Sequence, residues 1–282
     1  MKKFVFYAAV MLFFAACSKD EEGGMPSLPD PNDVCSAMDD IQFMEYCYTN
    51  FDVNDDGKVS KTEARAVQKM EIYGDIKSLK GIEFFSNLTE LDCDCSLTSL
   101  DISKNQKLIL LDCSDNQLTS LDLSKNTALE TVMCDENKLT SININSGLKE
   151  LWCHDNLLTS LNVSKGVDLI TLSCDYNKLT SLDISKNTVL TRLDCRANEL
   201  TSLDISKNTA LKVLNCYRNK LTSLDISKNT ALESFACTKN PGDGTTFSVK
   251  AWFDNNNVPR NFTSKMWLDD ETDRYITIHY YK

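Results

Sequence analysis

The sequence predicts an α/β solenoid: stacked 21-residue coils whose strands form one parallel sheet, closed by an N-terminal helix-loop-helix cap and a small C-terminal aromatic and β cap. Three observations carry this reading. Leu-Thr-Ser-Leu begins at Leu97, Leu118, Leu158, Leu179, Leu200 and Leu221, with Leu-Thr-Ser-Ile at Leu139, at spacings of 21, 21, 19, 21, 21 and 21. A fixed period of this length marks stacked units that cannot bury their apolar face alone. Within each unit Leu and Cys stand two residues apart, as at Leu111 and Cys113, so they share one side of a short strand. Finally, 42% apolar residues with only 9 Gly and 5 Pro in 282 allow a sizeable core and exclude disordered or collagen-like chains.

The first element is an address. Met1 to Ala16 has basic Lys2 and Lys3 and then an apolar run from Phe4 to Phe14, too short to span a bilayer, and reads as a secretory signal. Phe14-Ala15-Ala16-Cys17 resembles the lipobox of bacterial lipoproteins, which implies lipidation at Cys17. Ser18-Lys19-Asp20-Glu21-Glu22 is similar to the acidic sorting signal of Bacteroidetes lipoproteins, which implies an outer-membrane anchor facing the cell exterior. Residues 17–33 are Gly-, Pro- and Asp-rich and read as a flexible tether.

Residues 34–75 form the expected N-terminal cap. Val34, Met38, Ile41, Met44, Tyr48 and Phe51 follow helical spacing and predict one helix, on which Cys35 and Cys47 are too far apart to pair. The run Asp52 to Glu63 then resembles an EF-hand loop, with oxygen side chains at positions 1, 3, 5, 9 and 12 and Gly57 at position 6. That resemblance implies calcium held by Asp52, Asn54, Asp56, the Lys58 carbonyl, Ser60 through water, and bidentate Glu63. Ser60 and Glu63 equally satisfy a capping box for a helix Lys61 to Lys69.

The repeats run from 76 to 240 and read L-x-x-L-x-C-x-x-N-x-L-T-S-L-D-I-S-K-N-T-A. They resemble the leucine-rich repeat family, most closely the internalin-like repeats of bacterial surface proteins. The asparagine three residues after each repeat cysteine, from Asn116 to Asn240, is expected to satisfy buried backbone groups. Cys93, Cys113, Cys134, Cys153, Cys174, Cys195, Cys216 and Cys237 all point one way into the core, which suits disulfide torsions poorly and predicts free thiols. Asp122, Asp183, Asp204 and Asp225, each with Lys three residues on, predict a charge-balanced solvated face.

Residues 241–282 form the expected C-terminal cap. The repeat breaks at Pro241-Gly242-Asp243-Gly244, Tyr275 to Tyr280 alternates as a closing strand, and Trp252, Phe253, Phe262, Trp267 and Tyr275 would plug the last coil. Asp269-Asp270-Glu271 reads as a solvated turn.

With 41 acidic residues against 30 basic and no basic run, nucleic acid is excluded as a partner. Two histidines, no nucleophile–base frame and no phosphate-cradling loop argue against an enzyme. Information resides where the repeat varies and faces outward. These positions are Met133 with Asp135, Glu150 with Trp152 and His154, Asp175 with Tyr176, Arg192 with Asp194 and Arg196, and Asn215 with Tyr217 and Arg218. Trp, Tyr and Arg on one surface are what recognition sites use, so the expected function is non-catalytic binding of a protein or glycan, with an envelope spacer as the alternative. The membrane is expected to be reached only through the lipid anchor.

Overall fold

In the computed structural model, which describes residues 29–244, 246–259, 263–264 and 277–282, the N-terminal apolar periodicity is broken into two helices. A 3-10 helix at Val34–Ala37 is capped by Asp33, and α1 (Ile41–Phe51) is capped by Asp40, whose carboxylate accepts the N–H groups of Gln42 and Phe43. This corrects the single helix expected from Val34 to Phe51. An aspartate that caps a new helix competes with continuation of the old one. Cys35 and Cys47 therefore stand on separate elements, both buried and with their thiols close enough to hydrogen-bond, which corrects the expectation that they lie too far apart. Helix α2 (Lys61–Ala66) starts at the predicted Ser60–Glu63 capping box, with both reciprocal bonds formed. It ends before Lys69 because Lys69–Tyr73 is already a strand, in which Met70 and Ile72 alternate inward.

From there each coil adds one strand to a parallel sheet. These are β1 (Lys69–Tyr73), β2 (Glu90–Asp94), β3 (Leu110–Asp112), β4 (Thr131–Met133), β5 (Glu150–Trp152), β6 (Thr171–Ser173), β7 (Arg192–Asp194), β8 (Val213–Asn215), β9 (Ser234–Ala236) and β10 (Thr263–Ser264). The pairing is in register throughout, so Leu111, Val132, Leu151, Leu172, Leu193 and Leu214 stack in one buried row. The eight repeat cysteines form a second buried row and are free thiols, as expected. Burial raises their pKa, most plainly at Cys134, Cys153 and Cys174.

The opposite wall is less regular. Ser120–Asp122 pairs with Ser141–Asn143, and Ser223–Asp225 pairs with Thr246–Lys250, which in turn pairs with Thr277–Tyr281. The aspartates on this wall are exposed, as expected of a solvated face; Asp225 meets Lys250 at 3.5 Å, and the charges of Lys186 and Lys207 favour ionised Asp183 and Asp204. Asp122, Asp183, Asp204 and Asp225 each accept the N–H of the serine two residues on, and none forms an ion pair with the lysine three residues on. These turn bonds lower the pKa of Asp122, Asp183 and Asp204.

At the C-terminal end Trp252 meets Phe253 edge-on at 4.8 Å, and Phe253 lies 5.2 Å from Tyr280. Phe253 and Tyr280 are buried, so aromatic plugging is seen there. Phe262, Trp267, Tyr275 and Asp269-Asp270-Glu271, like the signal and Cys17, lie outside the described residues. Among the described residues no helix is long and apolar enough to cross a membrane.

Candidate functional site

The strand residues that face away from the core form three in-register rows. One carries Glu150 and Arg192, the next Met133, Trp152, Asp194 and Asn215, and the third Asp135, His154, Asp175, Arg196 and Tyr217. Tyr176 and Arg218 occupy the turn beside the third row. The fold thus places all twelve predicted recognition residues, and Asp135, on one sheet surface and its edge. Arg192, Tyr176 and Arg218 are exposed, while Met133, Glu150, Trp152, His154, Arg196, Asn215 and Tyr217 are half-buried. Asp175 and Asp194 differ from the expected outward exposure, being only 1% and 7% exposed. Neighbouring coils cover them. Arg196 lies across Asp175, and Asn215 donates to Asp194 at 3.1 Å.

These two carboxylates anchor a network. Asp175 accepts the Ser173 hydroxyl at 2.6 Å on Oδ1 and Arg196 Nε at 3.0 Å on Oδ2. Arg196 in turn lies 5.3 Å over the Tyr176 ring, a distance at which a guanidinium is attracted to the ring face. Burial, and then the nearby Asp175 charge, raise the Asp194 pKa against the opposing pull of Arg196. For Arg196, burial works to lower the pKa, but the Asp194 and Asp175 charges together leave it raised.

Trp152 stands on the neighbouring coil, with Nε1 3.4 Å from Glu150 Oε2. His154 donates its backbone N–H to Asp135 Oδ1 at 2.8 Å, and its Nδ1 lies 3.5 Å from that oxygen and 3.6 Å from Asp155 Oδ2. Burial pushes the Asp135 carboxyl up to about 6 despite the opposing influence of His154.

The Asp52–Glu63 loop has the turn geometry its glycine predicted. Asp55 and Gly57 have φ of 56° and 79°, and Asp52 accepts the N–H groups of Asp56 and Gly57. Asn54 accepts the Asp56 N–H, and Asp56 accepts that of Lys58. The donor set suits a hard cation in kind, being oxygens throughout. Both Glu63 oxygens, however, accept backbone N–H groups, Oε1 from Val53 at 3.0 Å and Oε2 from Ser60 at 2.8 Å. Hydrogen bonding from Ser60 and then from Val53 and Asn54 lowers the Glu63 pKa. Among the described residues no group of three or more His, Cys, Asp or Glu is arranged to hold a metal ion.

Two asparagine ladders hold the coils that position the sheet. Asn156 is typical of the predicted one: its amide donates to the carbonyls of Cys134, Cys153 and His154, and its oxygen accepts Leu139 N–H. The second ladder, Asn105, Asn126, Asn145, Asn187, Asn208 and Asn229, lies beyond the sequence expectation although the repeated S-K-N marks most of it. Asn126, for example, donates to Ile102 and Asn105 carbonyls of the preceding coil. In the 19-residue coil Gly147 passes so close that a Cβ there would lie 2.9 Å from the Thr127 carbonyl oxygen.

The fold and these ladders define a leucine-rich repeat solenoid, and its structural neighbours are internalin-like leucine-rich repeat proteins. The functional domain of InlJ from Listeria monocytogenes, described as including a cysteine ladder, is 30% identical over 78% of this chain and 56% of that one, with a TM-score of 0.58. A leucine-rich repeat protein of Leptospira interrogans is 21% identical over 64% of this chain and 57% of that one, with a TM-score of 0.52. The LRIM1/APL1C complex gives 20% identity over 65% of this chain and 36% of that one, with a TM-score of 0.53. The chain thus spans well under two thirds of the length of these structures. No protein-family model matches it, and no curated protein matches it significantly.

Proposed function

We propose that the chain is a non-catalytic, cell-surface recognition module that binds a protein partner through the variable face around Trp152. The observation that supports this most directly is the division of the coil into an almost unchanging frame and a row that changes at nearly every step. Met133, Trp152, Ser173, Asp194 and Asn215 are successive members of one row, while Leu and Cys repeat beneath them. Stability alone requires only the frame. The large half-buried Trp152, flanked by charged groups, is the type of anchor that dominates protein interfaces. One structure of similar fold is that of the LRIM1/APL1C complex, in keeping with a protein partner. Screening the purified chain against protein and polysaccharide arrays, with Trp152→Ala as the control, tests the proposal. Trp152-dependent capture of a polysaccharide would make the module a glycan binder, and no capture at all would favour an envelope spacer.

In this reading residues 1–16 are the signal, Cys17 carries lipid at the outer membrane with the domain facing outward, and 17–33 are the tether. The parts that follow are the cap (34–75), the repeats (76–240) and the C-terminal cap (241–282). Fatty-acid labelling that persists in Cys17→Ser would overturn the anchor. Calcium at Asp52, Asn54, Asp56, Lys58, Ser60 and Glu63 would organise the cap, supported by the oxygen donor set and the two left-handed turn residues. At a concentration equal to its dissociation constant it would add about 0.4 kcal/mol of stability. Identical melting in calcium and in chelator at millimolar concentrations would count against it.

A further inference from the structure

We propose that the outer sheet face and its turn edge are self-complementary and join two copies of this chain in an antiparallel, two-fold pair. The inference rests on the recognition reading above and names the partner as a second copy. Its basis is the sequence of charges along the edge. The left-handed turn position, one per coil, is occupied by Asp115, Glu136 and Asp155, then by Tyr176 and Ala197, and then by Arg218 and Lys239. Acid therefore fills one end of the row and base the other, with Tyr176 near the centre.

The acidic end is costly within one copy. Coils stack at about 4.8 Å, so three carboxylates stand side by side, and like charges so placed destabilise a sheet. All three are exposed. Asp155 has His154 nearby, but Asp115 and Glu136 form no ion pair among the described residues. At the other end Arg218 is also exposed and, among the described residues, forms no ion pair, whereas Arg196 is engaged by Asp175. Unpaired acid and unpaired base thus sit on one continuous surface, too far apart to meet within the molecule.

A two-fold axis between the coils of Asp155 and Tyr176 brings them together. It sets the Asp115 turn opposite the partner's Arg218 turn and leaves Glu136 one coil, about 4.8 Å, to the side of that arginine. Each contact occurs twice, as an isologous interface requires. Trp152 and Tyr176 flank the axis and supply the apolar centre that the charges would rim. Beside them lies an open groove of about 400 Å³, bordered by Asp155, Tyr176, Lys178, Glu199 and Arg218. The net charge of −11 opposes association at long range, but repulsion beyond about 8 Å is screened at physiological salt, while contacting pairs are screened less.

Sedimentation of the purified full chain tests this. Wild type should pass from monomer to dimer between about 1 and 100 μM, and return toward monomer in about 1 M salt. Reversing the acidic end (Asp115→Lys with Glu136→Lys) or the basic end (Arg218→Glu) should raise the dissociation constant at least roughly thirtyfold. Their melting should stay cooperative, because all three residues are exposed. An equimolar mixture of the two reversed variants should dimerise again, since each then offers what the other lacks. The salt response of wild type needs no variant and stands if either one misfolds. A wild type that stays monomeric at about 100 μM, a reversed variant that dimerises as wild type does, or a mixture that stays monomeric would overturn the proposal. A monomeric wild type that still captures another protein through Trp152 would refute the pairing and leave the recognition reading intact.

Discussion

Arg196 closes on Asp175 through both Nε and Nη2, each 3.0 Å from Oδ2, and Asp175 is 1% exposed. Removing one partner of such a pair strands a buried charge, which costs far more than the pair contributes. Arg196→Ala should therefore destabilise the chain by about 3 to 5 kcal/mol in urea unfolding, and Asp175→Asn added to it should recover part of that loss. A cost below about 1 kcal/mol would show that Asp175 is adequately solvated. For this reason Arg196 is a poor reporter of ligand binding, although it lies on the recognition face.

Asp135 gives the face a pH response. Its folded pKa of about 6 lies above the ordinary 3.8, so the native state binds this proton more tightly than the unfolded state does. The charged carboxylate is thus a liability above about pH 6 that is relieved as pH falls through 6 toward 3.8. Asp135→Asn, which keeps an oxygen acceptor for the His154 N–H, should melt higher than wild type at pH 7.5, by up to about 3 kcal/mol in stability. The difference should vanish by about pH 4. A difference independent of pH would reject this account.

Each asparagine of the predicted ladder ties two coils together. Asn177 donates to the Cys153, Cys174 and Asp175 carbonyls and accepts the Leu158 N–H. Asn177→Ala leaves those groups without their partner and should cost about 2 to 4 kcal/mol. Asn177→Asp should also destabilise, because a carboxylate cannot donate to three carbonyls. Wild-type urea midpoints for both variants would contradict a structural role for the amide.

The turn before each ladder asparagine holds strain. Ala197 has φ of 51° with no side chain that can bond its own backbone. Ala197→Gly should leave stability unchanged or raise it by up to about 1 kcal/mol, since relief of the left-handed penalty outweighs the added freedom of the unfolded chain. A loss beyond about 1 kcal/mol would mean that the Ala197 methyl packs usefully.

That strain also marks what the sequence could not reveal. Period, sheet face, cysteine row and first asparagine ladder were legible because each repeats at a fixed offset. The left-handed turns were hidden because Asp, Glu, Tyr, Ala, Arg and Lys occupy them, with no glycine to mark the conformation. The break at Asp39-Asp40 was masked by apolar spacing that continues across it. Burial of Asp175 and Asp194 depends on Arg196 and Asn215 one coil later, a relationship absent from any local pattern. At Glu63 the residue types suited both a calcium loop and a capping box, and the fold realises the capping bonds.

The central claim is that the variable face, rather than the frame, carries recognition, and Trp152 is its anchor. The most direct measurement is the affinity of wild type and Trp152→Ala for the first protein captured on the arrays, with melting temperatures measured in parallel. Because the indole is half-buried on the outer face, Trp152→Ala should leave melting nearly unchanged while weakening binding by about 2 kcal/mol or more, roughly thirtyfold in Kd. Unaltered affinity in a normally folded Trp152→Ala variant would contradict the claim and place recognition elsewhere on the chain.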